Sequence, residues 1–324
     1  MSESGDYDPG PWRGHDFASA RRSYDVHVGR SYDDAKAARK DTKAVLEQRV
    51  KTDSSAALVI ACDVTGSMGD WPATMFSKLP YLEHEAKEYL GDDLEICFSA
   101  VGDAYSDSYP LQVRPFTKGT DLKKRMEELI IEGNGGGQTS ESYDLAALYF
   151  LHNAEMNKAI HPVLIFIGDE GLYDFVDKQQ AKNVAKIDLD KRLPTKELFD
   201  DLKNKYSVYL IRKPYESSGD RMSSTDMRIY KQWETLLGPD RISTLPEAGR
   251  VVDVIFGILA KETNRVDYFH QELIERQKPE QVAVVMKSLE SVHRPDPLKA
   301  DHLLRSGKSV TIRKDVGKPS KELL

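Results

Sequence analysis

Three oxygen-bearing side chains stand at two-residue steps at the end of an apolar run: Asp63, Thr65 and Ser67. The run before them, Ala56-Ala57-Leu58-Val59-Ile60-Ala61-Cys62, is apolar throughout and carries β-branched Val59 and Ile60 at its centre. It reads as a strand buried on both faces, as in a parallel sheet. Alternate residues of an extended segment point the same way. One carboxylate and two hydroxyls are therefore expected to converge just past the strand's carboxyl end. Such hard oxygen ligands suit Mg²⁺, which takes an octahedron of oxygens and keeps several of them as water.

Asp63-Val64-Thr65-Gly66-Ser67 resembles the first motif, Asp-x-Ser-x-Ser, of the metal-ion-dependent adhesion site of von Willebrand factor A-like (vWA) domains. Thr65 replaces the first Ser and keeps the hydroxyl. The resemblance implies two further ligand loops, a Thr after a Gly-rich turn and an Asp after a later strand. Gly135-Gly136-Gly137-Gln138-Thr139 and Ile165-Phe166-Ile167-Gly168-Asp169 match them in order. The implied metal set is Asp63, Thr65, Ser67, Thr139 and Asp169, holding Mg²⁺ or Mn²⁺. The implied function is a protein–protein interaction module in which an open metal position accepts an Asp or Glu carboxylate of the partner. Intracellular members of the family often work in larger assemblies, some with AAA-type ATPases. The resemblance spans residues 54–262. Singly, each residue also has an ordinary reading: Asp63 and Asp169 in turns, Thr139 as a helix cap.

The elements that must position these residues alternate along the chain. Strands are expected at Leu94–Val101, His161–Ile167, Ser207–Ile211 and Arg241–Leu245, with a poorer one at Gln112–Phe116 whose Pro115 suggests a sheet edge. Helices are expected from Asp70 to Tyr89 with a kink at Pro80, and over Asp121–Ile131, Ser140–Glu155, Phe175–Ala185, Thr195–Tyr206, Asp226–Leu237 and from Pro246 onward. Strands alternating with helices imply a doubly wound, mostly parallel α/β sheet of Rossmann-like form. Ligands bind such sheets beyond the carboxyl ends of the strands, where Asp63 and Asp169 both fall. Residues 1–53 read as a polar arm followed by a short helix over 33–50. Residues 263–293 read as a helical extension packing back on the domain, and 294–324 as a basic tail.

Composition narrows the class. A 40% hydrophobic fraction supports a folded core, and a net charge of −7 argues against nonspecific nucleic-acid binding. Cys62 and Cys97, the two cysteines, lie in apolar runs and read as buried thiols, which fits a reducing compartment. The N-terminal stretch lacks the apolar core of a signal peptide and no run is long enough to span a membrane, so a cytoplasmic location is expected. Glu141, Asp144 and Glu170 read as surface charges near the site. A second class shares the first motif: Asp63-Val64-Thr65-Gly66-Ser67 also resembles the Asp-x-Thr-Gly-Thr motif of haloacid-dehalogenase-like phosphotransferases, with Asp63 as nucleophile. Against it, Thr139 follows a Gly run, and no Lys stands shortly before Gly168-Asp169 in a strand-adjacent place.

Overall fold

The computed structural model describes residues 46–293 apart from 70, 80–81, 120, 132–138, 216 and 219–220. Its centre is a six-stranded sheet. The strands are β1 (Ala57–Asp63), β2 (Glu95–Val101), β3 (Leu111–Val113), β4 (Val163–Gly168), β5 (Ser207–Arg212) and β6 (Ile242–Thr244). Their order across the sheet is β6-β5-β4-β1-β2-β3. All neighbours pair in parallel except β2 and β3, so the antiparallel strand lies at an edge. The helices are α1 (Trp71–Lys78), α2 (Leu82–Leu90), α3 (Asp121–Glu127), α4 (Tyr143–Asn153), α5 (Thr195–Lys205), α6 (Ser224–Leu237), α7 (Val251–Glu262), α8 (Val266–Arg276) and α9 (Pro279–Ser288).

Each face of the sheet carries its own core. Alternation along β1 sends Leu58, Ile60 and Cys62 to the face covered by α1, α2 and α7. Ala57, Val59 and Ala61 face α4, α5 and α6. Every residue of β1 is buried, which is why its sequence reads as a continuous apolar run instead of an alternating one. On the second face Tyr143, Phe166, Phe199 and Trp233 pack as an aromatic cluster with ring centroids 5.2–6.0 Å apart. Each fully buried large side chain contributes about 1.5–3 kcal/mol. Phe269, Leu273, Val285, Leu289 and Val292 join the first core, so α8 and α9 pack on the sheet domain through α7. Among the described residues no helix is long and apolar enough to cross a membrane.

Several elements differ from the expectation. Of the expected helix over 33–50 only 46–50 fall among the described residues, and there Leu46 bridges Val113 and Val50–Lys51 pairs as a strand with Ala154–Glu155. The helix expected over Ser140–Glu155 is shortened to α4, because Ser140–Glu141 pairs with Gly171–Leu172 and Ala154–Glu155 with Val50–Lys51. In place of one kinked helix after Asp70 there are two, α1 and α2. Phe175–Val176 is strand, paired with Leu193–Pro194, and only Lys178–Ala185 turns helically. Thr195 opens α5, and its hydroxyl donates to the Tyr173 carbonyl at 2.5 Å. A short 3-10 turn over Ala248–Arg250 precedes the long helix expected from Pro246. The Gly135–Gly137 turn, the arm before Leu46 and the tail after His293 lie outside the described residues.

Candidate functional site

The strand order reverses its direction of growth between β1 and β4, which pair directly. In a doubly wound sheet this switch point opens a crevice beyond the carboxyl ends of the two strands. Asp63 ends β1 and Asp169 follows β4, so both carboxylates stand at its mouth.

Asp63 is fully buried and completely engaged. Its Oδ1 accepts from the Thr65 amide at 2.8 Å and the Thr65 hydroxyl at 2.6 Å. Its Oδ2 accepts from the Tyr143 hydroxyl at 2.5 Å, reaching up from the first turn of α4. Gly168 makes room for that hydroxyl, since a Cβ there would lie 1.7 Å from it. Asp169, also fully buried, accepts from the Ser67 hydroxyl at 2.9 Å through Oδ1. Its Oδ2 accepts from the Lys213 ammonium at 2.7 Å. Lys213 also donates to the Ser67 carbonyl at 2.7 Å. The placement follows from register: Arg212 pairs with Gly168, so the next residues of the two strands, Lys213 and Asp169, meet at the sheet edge.

The Thr65 hydroxyl lies 2.6 Å from Asp63 Oδ1 and the Ser67 hydroxyl 2.9 Å from Asp169 Oδ1. Thr65 Oγ1 and Ser67 Oγ lie 3.3 Å apart, where either can donate to the other. The two hydroxyls and the two carboxylates therefore form one connected cluster of hard oxygens.

Thr139 reaches the same edge by another route. Its carbonyl accepts from the Gly171 amide at 3.1 Å, and the following strand pair ties Ser140–Glu141 to Gly171–Leu172. Its hydroxyl accepts from the Arg228 guanidinium of α6. Helix α6 also clamps the loop after β4. Trp233 Nε1 donates to the Glu170 carbonyl at 2.8 Å, and the Gln232 amide bonds both backbone groups of Leu172, at 3.1 and 2.5 Å. The structure thus links Asp63, Thr65, Ser67 and Asp169 by side-chain contacts and brings Thr139 to their edge without direct contact with the four.

Glu141, Asp144 and Glu170 are not surface charges: all three are buried, which corrects the sequence expectation. Burial, then repulsion from Asp169, raises the Asp63 carboxyl far above the usual range, against the bonds from Thr65 and Tyr143. Burial and the nearby Asp63, Glu170, Asp103 and Asp107 charges raise Glu141 further. Glu170 is raised by burial and by Asp169. The Oε2 atoms of Glu141 and Glu170 are buried without a hydrogen-bond partner. Negative charge is therefore crowded here beyond what Lys213 offsets, an arrangement that costs free energy unless a cation or protons neutralise it.

Two carboxylates and the Thr65 and Ser67 hydroxyls are donors of the kind a hard divalent cation takes, while the Thr139 hydroxyl is turned to Arg228 at their edge. Among the described residues no three His, Cys, Asp or Glu side chains converge as a metal site, so any such ion depends on the hydroxyls as much as on the acids. Sequence reasoning missed Tyr143, Lys213 and Arg228. Lys213 had a signal: it stands immediately after a buried parallel strand, the same place that marked Asp169. Tyr143 and Arg228 had none, because their contacts depend on how α4 and α6 pack.

No family model and no curated protein matches the chain. Among solved structures it is similar to the pilus adhesin SpaC from Lactobacillus rhamnosus GG, with 11% identity, 67% of this chain and 32% of that chain covered, and a TM-score of 0.47. An open conformation of the same adhesin gives 12% identity, 70% and 31% coverage, and 0.45. Proximal thread matrix protein 1 from the mussel byssus gives 11%, 65% and 48%, and 0.40. The chain spans a third to a half of the length of these proteins. At such scores the likeness carries no argument about fold family or function.

Proposed function

We propose that this chain is a protein–protein interaction module of vWA type. Asp63, Thr65, Ser67, Thr139 and Asp169 would hold Mg²⁺ or Mn²⁺ as a metal-ion-dependent adhesion site. The observation that carries the reading is the cluster of hard oxygens at the switch point: Thr65 Oγ1 and Ser67 Oγ, 3.3 Å apart, between two buried carboxylates. When bound, the ion supplies an incompletely neutralised positive charge to which a partner's Asp or Glu carboxylate can bind. The chain's own residues do the positioning. Tyr143 fixes the Asp63 rotamer, Thr65 and Ser67 tie their hydroxyls to Asp63 and Asp169, and α6 holds the loop after Asp169. The partner is a protein with an exposed acidic residue, and an AAA-type ATPase or larger assembly is the proposed setting. The free buried thiols of Cys62 and Cys97 support a cytoplasmic location.

The phosphotransferase alternative needs an Asp63 oxygen open to attack on phosphorus. The Gly run before Thr139, where that class carries a lone Ser or Thr at a strand end, weighs against it. The test is thermal unfolding with and without metal. Binding to the native state alone stabilises by about 2.7 kcal/mol at roughly 100 times Kd. A Mg²⁺-dependent rise in Tm that Asp63→Ala abolishes supports the reading, and an equal rise in the variant sinks it.

A further inference from the structure

Lys213 has no part in the metal set, yet its ammonium sits among the proposed ligands. It lies 2.7 Å from Asp169 Oδ2 and 2.7 Å from the Ser67 carbonyl, so it touches both walls of the crevice. The two ends of this ion pair are not alike. Asp169 is completely enclosed and fixed by Ser67, whereas the Lys213 side chain keeps 19% of its surface exposed. A lysine is a point charge on a flexible four-carbon stem, able to leave a site without moving its backbone. The Lys213 backbone is itself pinned, its amide donating to the Gly168 carbonyl at 2.9 Å. Only the side chain has freedom.

We propose that Lys213 is the resident counter-ion of this site. Its ammonium neutralises Asp169 in the metal-free chain and exchanges with the divalent cation, swinging to the rim when the metal enters. The proposal rests on the metal reading above. Its physical basis is that an ammonium and a divalent ion attracted to the same carboxylate repel one another at contact distance in a site of low dielectric. A merely structural ion pair would stay closed on metal binding. Exchange has a further consequence: the released ammonium stands at the mouth of the crevice, placed to meet the same acidic partner. Arg228, exposed and bonded to Thr139, stands there as a second cation.

The experiment is amine acetylation of the wild-type chain with an N-hydroxysuccinimide ester of acetate, read at Lys213 by peptide mass spectrometry. One arm contains EDTA and the other saturating Mn²⁺, with bound Mn²⁺ counted by loss of the free-ion electron paramagnetic resonance signal. Exposed Lys231 serves as the internal reference. Exchange breaks the ion pair that holds the ammonium and raises the Lys213 labelling rate severalfold relative to Lys231 on metal binding. In parallel, Lys213→Met removes the competitor and tightens Mn²⁺ binding by about tenfold, the worth of a charge-assisted hydrogen bond. Metal bound with Lys213 labelling unchanged overturns the exchange and leaves the metal reading standing. Metal bound by neither wild type nor Lys213→Met overturns both. Metal bound only by Lys213→Met overturns the exchange, because the ammonium is then a permanent occupant of the wild-type site. If the variant does not fold, the wild-type labelling decides alone.

Discussion

Gly168→Ala is expected to damage the site from behind, through a residue that bears no side chain. A Cβ at position 168 would lie 1.7 Å from the Tyr143 hydroxyl oxygen, 2.8 Å from its Cζ and 3.1 Å from Asp63 Cβ. The hydroxyl must move, and with it goes the 2.5 Å bond to Asp63. Overpacking a core costs about 1–3 kcal/mol. Losing a hydrogen bond to a charged group adds about 1.5–3 kcal/mol. The variant should lose about 3–5 kcal/mol in all. Tyr143→Phe removes only the bond and should lose about 1.5–3 kcal/mol. In the double variant the bond is lost once and the closest clash is gone, so the losses should fall short of additivity by at least about 1.5–3 kcal/mol. Urea unfolding of the four proteins measures this as a shift of midpoint at constant slope. Additivity within about 0.5 kcal/mol would refute the claim that Gly168 exists to admit the Tyr143 hydroxyl.

Three other outcomes are expected. Asp226→Ala leaves Arg212, buried like its partner, without the carboxylate it pairs with, and should cost about 3–5 kcal/mol by calorimetry or denaturant unfolding. Gly257→Val drives a side chain into Leu289, whose Cδ1 lies 2.1 Å from an ideal Cβ at 257; a loss of about 2 kcal/mol, partly restored by Leu289→Ala, shows that the segment after α9 packs on α7 as described. Burial raises the Asp253 carboxyl from 3.8 to about 6, against the opposing charges of Arg250, Lys78 and Arg276. Its folded pKa exceeds the unfolded one, so the native state holds the proton more tightly. The stabilisation is complete below about pH 4 and is lost as pH rises through 6, an effect on the order of 3 kcal/mol that Asp253→Asn should flatten in stability–pH curves.

Strands buried on both faces were legible because their sequences leave no other reading. Ala57–Asp63 and Val163–Gly168 are apolar runs too short for a helix core, and every residue in them is buried. Their carboxyl ends then located Asp63 and Asp169 at the switch point. The short strands were not legible. Ser140–Glu141 carries no periodicity, and its pairing partner, Gly171–Leu172, lies a whole helix and strand away. Charge misled the reading of Glu141, Asp144 and Glu170, because acidic residues are seldom enclosed unless something compensates them. Lys213 and Arg228 act across 44 and 89 residues of sequence, so only the register of β5 on β4 and the packing of α6 reveal them.

The most direct test of the account is the stoichiometry of Mn²⁺ binding, followed by electron paramagnetic resonance on the wild type, Asp63→Asn and Asp169→Asn, with circular dichroism confirming that each variant is folded. The account requires one site in the wild type. It also requires a loss of affinity of at least about tenfold in each variant, since each removes a charged oxygen from the cation's surroundings. No saturable binding to the wild type at millimolar Mn²⁺, or one site of equal affinity in all three proteins, would contradict it.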